Sequence, residues 1–531
     1  MRSKAVVLTS LLLASFAINL DTTIVNVALP SLVRELHATT TQLQWVVDAY
    51  NLVFAALLLT SGSLSDRFGR KGMLLAGLGV FGLASLVGGF TDTPAELIAA
   101  RAVMGLGAAM IFPATLSLIA NVFTERRERA AAIGLWGASA GVAIALGPIV
   151  GGWLLEHFSW SSIFYAMAPV AAVSAALVAI SVPTSRDLKA PRVDLAGFVL
   201  STAAMAVVVY TIIEAPDYGW ASSRSVAGFA GAAVLFALFI GTERRSAAPM
   251  LDVRLFRNLR FTAASGSVTV AFFSLFGFIF LMTQYFQFIR SYGPLSTGVR
   301  LLPVATSVAV GSVIGTRMAV RVGTKLVVTV GLLAVAAFYA WVASVISLTT
   351  GYGTIAAQMV LYGIGMGFTS APATESIMGA VSKDKAGVGS AVNDATRLLG
   401  GTLGVAVIGS VFSSLYGRRL SARLPARFPA ALSHAAHQSI GAALTVSSRL
   451  NAAGRPALGN AVHHAASSAF IHGLIVGCVV AGGVAAAGAL VAARFLPAQP
   501  PTVADVDTIT TAAPEIADPV RGDLGSIALE S

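Results

Sequence analysis

Long apolar runs constrain this sequence more than any other feature. They recur from residue 8 to residue 493, each about twenty residues long, and short charged segments separate them. A run of that length crosses the roughly 30 Å hydrocarbon core of a bilayer as one α-helix. Across the chain 56% of the residues are hydrophobic and 11% are charged, which is more apolar surface than a soluble core can bury. The sequence therefore predicts an all-α integral membrane protein.

Fourteen membrane spans are predicted from these runs. They cover residues 8–30, 44–64, 72–90, 95–121, 132–155, 161–181, 196–215, 226–242, 263–288, 299–321, 326–347, 353–374, 390–413 and 468–493. An even number of spans places both termini on one side of the membrane. Lys and Arg concentrate in the short loops of that side, so the positive-inside rule makes it cytoplasmic. The abundant Ala, Gly and Arg are typical of a GC-rich bacterial genome, which favours the bacterial cell membrane as the location.

Charge and cysteine content argue against several function classes. The net charge is +11, but the basic residues lie in short clusters between the apolar runs and not along one exposed face, so no nucleic-acid partner is expected. The only cysteine, Cys478, lies inside the last run, which excludes an intrachain disulfide and gives no support to thiol chemistry. We expect no metal and no cofactor.

Two stretches fall outside the predicted spans. The loop 414–467 would be external, and it carries several arginines and the histidines His434, His437, His463 and His464. A metal site is conceivable there, but a solvated, partly helical loop is the favoured interpretation. Residues 497–531 are polar and lack an apolar period, which predicts a disordered cytoplasmic tail.

The segment between the second and third spans carries the most specific motif. Residues 62–71 read GSLSDRFGRK. Gly62 and Gly69 allow close helix approach and an abrupt turn. Asp66 can accept hydrogen bonds at a helix N-terminus, and Arg67 and Arg70 can pair with carboxylates. A basic loop without special role is the plain alternative, but the string resembles the G-x-L-a-D-r-x-G-r-k signature of the major facilitator superfamily.

Three further strings resemble that superfamily in the expected order and on the expected spans. Leu20–Pro30 in span one is similar to the signature of the fourteen-span drug:proton antiporter branch. Arg101–Gly107 in span four resembles the R-x-x-q-G-x-g pattern, with Met104 in place of the usual glutamine. Gly147–Gly152 in span five resembles the G-P-x-x-G-G antiporter motif, with Ala143 where a glycine often sits.

The resemblance implies a major facilitator fold, in which two six-helix bundles enclose a central cavity. The first bundle would be residues 1–181, the inserted helix pair with its linkers 182–260, and the second bundle 261–496. Between spans ten and eleven, Gly315–Gly323 resembles a decayed copy of the cytoplasmic signature, with Ala319 in the place of the acid. The expected partners are a small-molecule substrate, protons and the lipid bilayer, and the expected state is a monomer.

The antiporter motif also has a packing interpretation. Gly147, Gly151 and Gly152 would let spans five and eight approach closely, and Pro148 can kink the helix. We interpret the motif as a gating element that sets the direction of antiport rather than as a ligand site.

Two ionisable residues in the membrane are predicted to lie at similar depth. Asp21 in span one and Arg101 in span four both lie roughly 20 Å from the cytoplasmic face at 1.5 Å per residue. Because the resemblance implies that both helices flank the cavity, we predict an Asp21–Arg101 pair that couples proton transfer to transport. A static ion pair that holds the bundle together is the competing interpretation.

Other polar residues are weaker candidates for substrate binding. Asp48, with Tyr50 nearby, could meet a cationic ligand near the outer end of span two, although aromatic residues at that depth are more often interface anchors. Gln284 and Gln287 in span nine could line the cavity, or neighbouring helices could satisfy them. Glu214, at the end of span seven, is interpreted as an exposed interfacial acid.

A cytoplasmic gate is predicted from three charged residues of the second bundle. Glu375 lies at the cytoplasmic end of span twelve, and Asp394 and Arg397 lie at the start of span thirteen. The resemblance implies that the Asp66 loop docks at these residues.

The predicted function is therefore export of amphipathic small molecules, cationic ones included, in exchange for protons. A dedicated exporter of one endogenous metabolite or antibiotic is the alternative, because scattered intramembrane acids and aromatic residues suit both. An enzyme is not expected, since the sequence has neither a phosphate-binding loop nor an HExxH metal pair.

Overall fold

Helices are the only regular secondary structure in the part of the chain that the computed structural model describes, namely residues 4–186, 194–246, 249–381, 386–425 and 428–497. Residues 498–531 of the predicted disordered tail lie outside these ranges. The fold is all-α, as predicted. The helices are α1 (Lys4–Glu35), α2 (Thr40–Phe68), α3 (Arg70–Gly89), α4 (Pro94–Val122), α5 (Arg126–His157), α6 (Ser162–Ser181), α7 (Leu195–Tyr218), α8 (Ser223–Arg245), α9 (Leu259–Gln284), α10 (Pro294–Arg300), α11 (Leu302–Val322), α12 (Thr324–Val345), α13 (Tyr352–Gly379), α14 (Ala386–Arg423), α15 (Ala430–Gln438), α16 (Ile440–Ala452) and α17 (Pro456–Phe495).

Two sets of helices pack mainly within themselves. In the first set, α4 packs against α2 and α3, and α1 packs against α5 and α6. In the second set, α9 packs against α13, α14 and α17, and α12 packs against α13 and α17. The pair α7 and α8 is inserted between the sets in sequence, and α7 contacts both α2 and α14. The hydrophobic core runs through both sets as one large cluster.

Thirteen helices of the described residues are long and apolar enough to cross a membrane, counting α10 with α11 as one. Adding α13 brings the number to fourteen, which is the predicted count of spans. The 28-residue α13 packs in the second set against α11, but polar residues such as Gln358 and Thr369 interrupt its apolar sequence. Its glycines allow this packing: a Cβ on Gly367 would lie 2.4 Å from the backbone nitrogen of Ser312 on α11.

The same glycine turn occurs in both sets. Gly69 joins α2 to α3 with φ of 120°, and Gly323 joins α11 to α12 with φ of 92°. L-residues rarely adopt such positive φ values, so both turns require glycine. The copy of the cytoplasmic signature around Gly315–Gly323 therefore repeats the turn of the first set, although it lacks the acid.

The predicted external loop 414–467 is mostly helical, as expected, but the prediction that it is solvated is wrong for α16. Ile440 and Ala443 of α16 are buried, and the helix packs against α17 and α1. The physical reason is an apolar stripe at helical spacing that also includes Val446 and Leu450. Within the described residues, no group of three or more potential metal ligands occurs.

One end of the molecule is sealed between the two sets of helices. Gln44 of α2 donates hydrogen bonds to the carbonyl oxygens of Val405 and Ala406 on α14, at 3.2 and 3.0 Å. At the same end, the Thr40 hydroxyl donates to the carbonyl oxygen of Gln438, 3.2 Å away. We call this end, where α2 begins and α14 ends, the sealed end, and the opposite end, which carries the Asp66 loop, the motif end.

Candidate functional site

A buried ion pair joins α1 to α4. The Asp21 carboxylate oxygen Oδ2 lies 2.5 Å from Nη1 of Arg101, and each side chain is only 1% exposed. Asp21 lies near the middle of α1, and Arg101 lies about two turns from the start of α4. Charges so far from water are costly unless paired, so the two groups depend on one another.

Arg101 has two further partners on α2. Its Nε donates to the carbonyl oxygen of Val46 at 3.0 Å, and its guanidinium carbon lies 4.3 Å from the centre of the Tyr50 ring. The Tyr50 hydroxyl in turn donates to the carbonyl oxygen of Ile18 on α1, at 3.3 Å. Three helices therefore meet at one guanidinium, and breaking the ion pair would leave Arg101 still bound to α2.

Gly105 explains why α2 and α4 approach so closely here. It follows Arg101 by one helical turn, so both residues face α2. A Cβ at this position would lie 2.5 Å from the carbonyl oxygen of Tyr50 and 3.2 Å from its Cα. The glycine of the span-four motif thus permits the contact between Arg101 and Tyr50.

Unlike Asp21, Asp48 has no charged partner in the part of the chain that the structure describes. It is fully buried, and neither carboxylate oxygen has a hydrogen-bond partner among the described residues. The same is true of both side-chain polar atoms of Asn51, one turn along α2. A buried ionised carboxylate without partners is unfavourable, which makes Asp48 a candidate for binding a proton or a cation. Asp48 and Tyr50 were both predicted as substrate-binding candidates, but the structure does not bring their side chains together. The Tyr50 ring lies against Arg101 instead.

The two glutamines of the ninth span have different surroundings. Gln284 donates to the carbonyl oxygen of Phe280 in its own helix, at 3.1 Å. Gln287 lies in a π-helical turn, Tyr285–Ile289, and donates to the carbonyl oxygen of Val27 on α1 at 2.9 Å. Its Oε1 atom has no partner among the described residues. Gln287 therefore bridges the two sets of helices near the sealed end.

The antiporter motif on α5 is a packing surface with two neighbours. Gly147 and Gly151 face α1, where a Cβ on Gly151 would lie 2.7 Å from Ile24 Cγ1. Gly152 and Pro148 face α10, and a Cβ on Gly152 would lie 2.6 Å from the Cα of Leu295. The predicted close approach of spans five and eight is wrong, because span eight is α8 of the inserted pair. The small residues instead bring α5 against the start of the tenth span.

The Asp66 loop bonds within its own set of helices. Asp66 Oδ1 accepts from Arg70 Nε at 2.7 Å, and the Arg70 backbone N–H donates to the carbonyl oxygen of Ser185 at 3.0 Å. Gly62 approaches α4, where a Cβ would lie 3.6 Å from Pro113 Cβ. Arg67 is exposed.

The predicted gate residues of the second set also bond locally. Arg397 donates to the Thr374 hydroxyl at 3.2 Å, and its Nη1 lies 4.0 Å from Asp394 Oδ1. Glu375 is exposed. Over the described ranges, no hydrogen bond or ion pair joins these three residues to the Asp66 loop. In this structure the motif end is therefore unlatched, whereas the other end is sealed.

Two site residues were missed or misjudged from the sequence. Gln44 joins α2 to α14 by hydrogen bonds and was missed. The only feature of the sequence that could have indicated this role was a polar residue near the start of a predicted span. Glu214 is not an exposed acid: it is half-buried and accepts a hydrogen bond from Trp45 Nε1 at 3.0 Å. The indole N–H needs an acceptor in an apolar setting, and Glu214 on α7 is in reach because α7 packs against α2.

A fold of this kind, with long apolar helices in two sets around buried charges, defines a multi-pass membrane protein. The sequence profile of the Major Facilitator Superfamily matches residues 11–405, so the chain belongs to this superfamily and is a transporter rather than an enzyme. The fold is similar to that of a bacterial homologue of the human lysosomal transporter Spinster in an inward-facing, unoccupied conformation, with a TM-score of 0.63 and 15% identity over 93% of this chain and 99% of the other. It is also similar to the inward-open xylose transporter XylE of E. coli, with a TM-score of 0.56 and 12% identity over 94% and 98%.

Several named relatives are similar in sequence over most of their length. The multidrug resistance protein Stp of Mycobacterium tuberculosis (strain CDC 1551 / Oshkosh) is 35% identical over 76% of this chain and 74% of its own. The multidrug efflux pump LfrA of Mycolicibacterium smegmatis is 34% identical over 84% and 88%. The methylenomycin A resistance protein of Streptomyces coelicolor is 35% identical over 74% and 82%.

Proposed function

We propose that this protein exports drugs and other amphipathic small molecules, cationic ones included, across the bacterial cell membrane in exchange for protons. The observation that carries the proposal is the Asp21–Arg101 ion pair, buried where two helices of one set meet. Relatives named for multidrug efflux and drug resistance support the substrate class. The span count and the Leu20–Pro30 string favour the fourteen-span drug:proton antiporter branch.

The proposed coupling step is protonation of Asp21. A proton on Asp21 would remove the negative charge that compensates Arg101, while the Val46 carbonyl and the Tyr50 ring would keep Arg101 in place. An uncompensated guanidinium in an apolar setting raises the free energy of the state that buries it. The proton thereby changes the relative free energies of the inward-facing and outward-facing states. Asp48 is the second acid of this mechanism, as the group that meets a cationic substrate.

The proposed topology puts the motif end in the cytoplasm. The positive-inside bias supports this orientation, with both termini cytoplasmic and the sealed end external. The structure then corresponds to an inward-facing state, in which the Asp66 loop is parted from Glu375, Asp394 and Arg397. In the outward-facing state these groups would meet and form the cytoplasmic gate, while the contacts of Gln44 and Gln287 would open. The monomer is the proposed functional unit.

Efflux of a lipophilic cation tests the proposal. The protein is expressed in a drug-sensitive bacterial host loaded with ethidium, with and without a protonophore, beside Asp21→Asn and the exposed control Glu35→Gln. We expect efflux that the protonophore and Asp21→Asn both abolish and that Glu35→Gln leaves unchanged. No efflux of any lipophilic cation from membrane-inserted protein would refute broad drug export and favour a dedicated exporter of one metabolite or antibiotic.

A further inference from the structure

A cleft lies away from the ion pair, between α2 and the inserted pair α7 and α8. Its volume is about 760 Å³, within the range of ligand sites. The cleft lies at the sealed end, because Trp45 of α2 and the C-terminal part of α7 line it. Two of its aromatic side chains remain accessible: Tyr210 is 48% exposed and Tyr218 is 40% exposed. It opens at these exposed side chains of the apolar helix α7, on a surface that the membrane topology proposed above places against lipid.

Opposite charges line this cleft without pairing with each other. Glu214 accepts one hydrogen bond, from Trp45 Nε1 at 3.0 Å, and Arg224 lies over the Tyr218 ring at 5.2 Å. No ion pair joins Glu214 to Arg224 in the described part of the chain. A free cation would be repelled by Arg224, and a free anion by Glu214. The charges therefore match a ligand that carries both signs.

The deeper part of the cleft is apolar. Its lining includes Leu52, Ala206, Val207 and Gly228. Val207 lies eleven residues before Tyr218 on α7, which is about 16 Å along the helix axis at 1.5 Å per residue. The cleft thus runs from a charged, aromatic rim at the membrane interface into the hydrocarbon region. A ligand that fits it has a dipolar head and an apolar tail.

We propose that this cleft binds a zwitterionic phospholipid from the surrounding leaflet, which is the outer leaflet in the proposed topology. The ammonium group of the lipid binds Glu214 and the faces of Trp45 and Tyr210, and the phosphodiester binds Arg224. An acyl chain occupies the apolar part beside Leu52. Lipid fits better than a soluble zwitterion because the apolar part of the cleft opens to the bilayer.

The position of the cleft gives the bound lipid a structural consequence. Its wall α7 contacts α2 of the first set and α14 of the second. Trp220, just after α7, donates to the Ser414 hydroxyl of α14 at 3.0 Å, and Thr41 of α2 donates to Asp217 at 3.2 Å. A lipid in the cleft therefore stabilises the inserted pair where it bridges the two moving halves.

Native mass spectrometry of the full-length protein tests the proposal. Delipidated protein in detergent is titrated with phosphatidylethanolamine, which has an ammonium group and a phosphate, and with phosphatidylglycerol, which has only the phosphate. The variants are Glu214→Gln, which keeps an acceptor for Trp45, and Arg224→Gln. Controls are Glu35→Gln and Arg455→Gln, which alter exposed charges at the same end.

The wild type should bind phosphatidylethanolamine about tenfold more tightly than phosphatidylglycerol, as one additional charge-assisted contact would produce. Glu214→Gln should remove this preference, Arg224→Gln should weaken both lipids, and the controls should match the wild type. Equal binding of the two lipids by the wild type, or unchanged binding by both cleft variants, would overturn the proposal. If tetraphenylphosphonium displaces the lipid from both the wild type and Arg224→Gln, the cleft is a site for organic cations and the lipid proposal is overturned. These outcomes are independent of whether the protein transports ethidium.

Discussion

Removal of Arg101 should destabilise the protein more than removal of the whole ion pair. Arg101→Gln leaves Asp21 buried at 1% exposure without its guanidinium partner. Loss of one member of a buried pair typically costs about 3–5 kcal/mol. The contact with the Tyr50 ring, about 2 kcal/mol when desolvated, and the hydrogen bond to Val46 are lost as well, and these contributions overlap rather than add.

The double variant Asp21→Asn/Arg101→Gln removes both charges and lets two amides bond across the same gap. It should recover part of the loss, with a coupling energy of about 0.5–3 kcal/mol. Thermal unfolding in detergent measures the effect, and the expected order of midpoints is wild type, then the double variant, then Arg101→Gln. Strictly additive losses, or a double variant less stable than Arg101→Gln, would refute the view that the two charges depend on each other.

Three further predictions concern glycines. Gly105→Ala would place Cβ 2.5 Å from the Tyr50 carbonyl oxygen, and such an overpacked contact costs about 1–3 kcal/mol. It should therefore lower the midpoint of thermal unfolding. The control Gly79→Ala, whose Cβ would have no atom within 4 Å, should leave the midpoint unchanged. Gly69→Ala forces a φ of 120° on alanine and should also destabilise, by about 1–3 kcal/mol; a midpoint equal to that of Gly79→Ala would contradict the structure of this turn. Gly409→Val should displace the Gln44 side chain, because a Cβ there would lie 2.6 Å from Gln44 Nε2, and should break the hydrogen bonds that join α2 to α14 at the sealed end. It should speed labelling of Gln287→Cys by an impermeant maleimide added outside, and unchanged labelling would contradict the proposed seal.

Apolar length and motif order predicted most of the membrane fold. Runs of about twenty apolar residues have few alternatives to a membrane helix, since every backbone polar group must be satisfied inside the bilayer. The glycines of the Asp66 loop and of Gly315–Gly323 also indicated turns that the structure contains. A hydropathy reading did not identify α16, because its apolar residues form a stripe on a short helix and not a continuous run. The N-cap Ser439 and the spacing of Ile440, Ala443 and Val446 were the available signal.

The candidate site was only partly accessible to sequence reasoning. Matching depth, together with the family resemblance that places both helices beside the cavity, predicted that Asp21 and Arg101 meet, and the structure contains this pair. The contact between Tyr50 and Arg101 could not be predicted in this way. Whether Tyr50 lies beside Asp48 or beside Arg101 depends on the rotation of α2 and on its close approach to Gly105. Contacts across the two halves, such as Gln287 with Val27, depend on the conformational state and leave no local pattern.

Proton flux in proteoliposomes tests the central claim, that Asp21 couples proton transfer to export, most directly. Protein is reconstituted with a pH-sensitive dye inside the vesicles, and a gradient of a lipophilic cation is imposed. The wild type and Glu35→Gln should move protons against the cation, while Asp21→Asn should bind the cation and move no protons. Cation-driven proton flux that persists in folded, inserted Asp21→Asn would contradict the account and assign the coupling to another acid, with Asp48 the first to test.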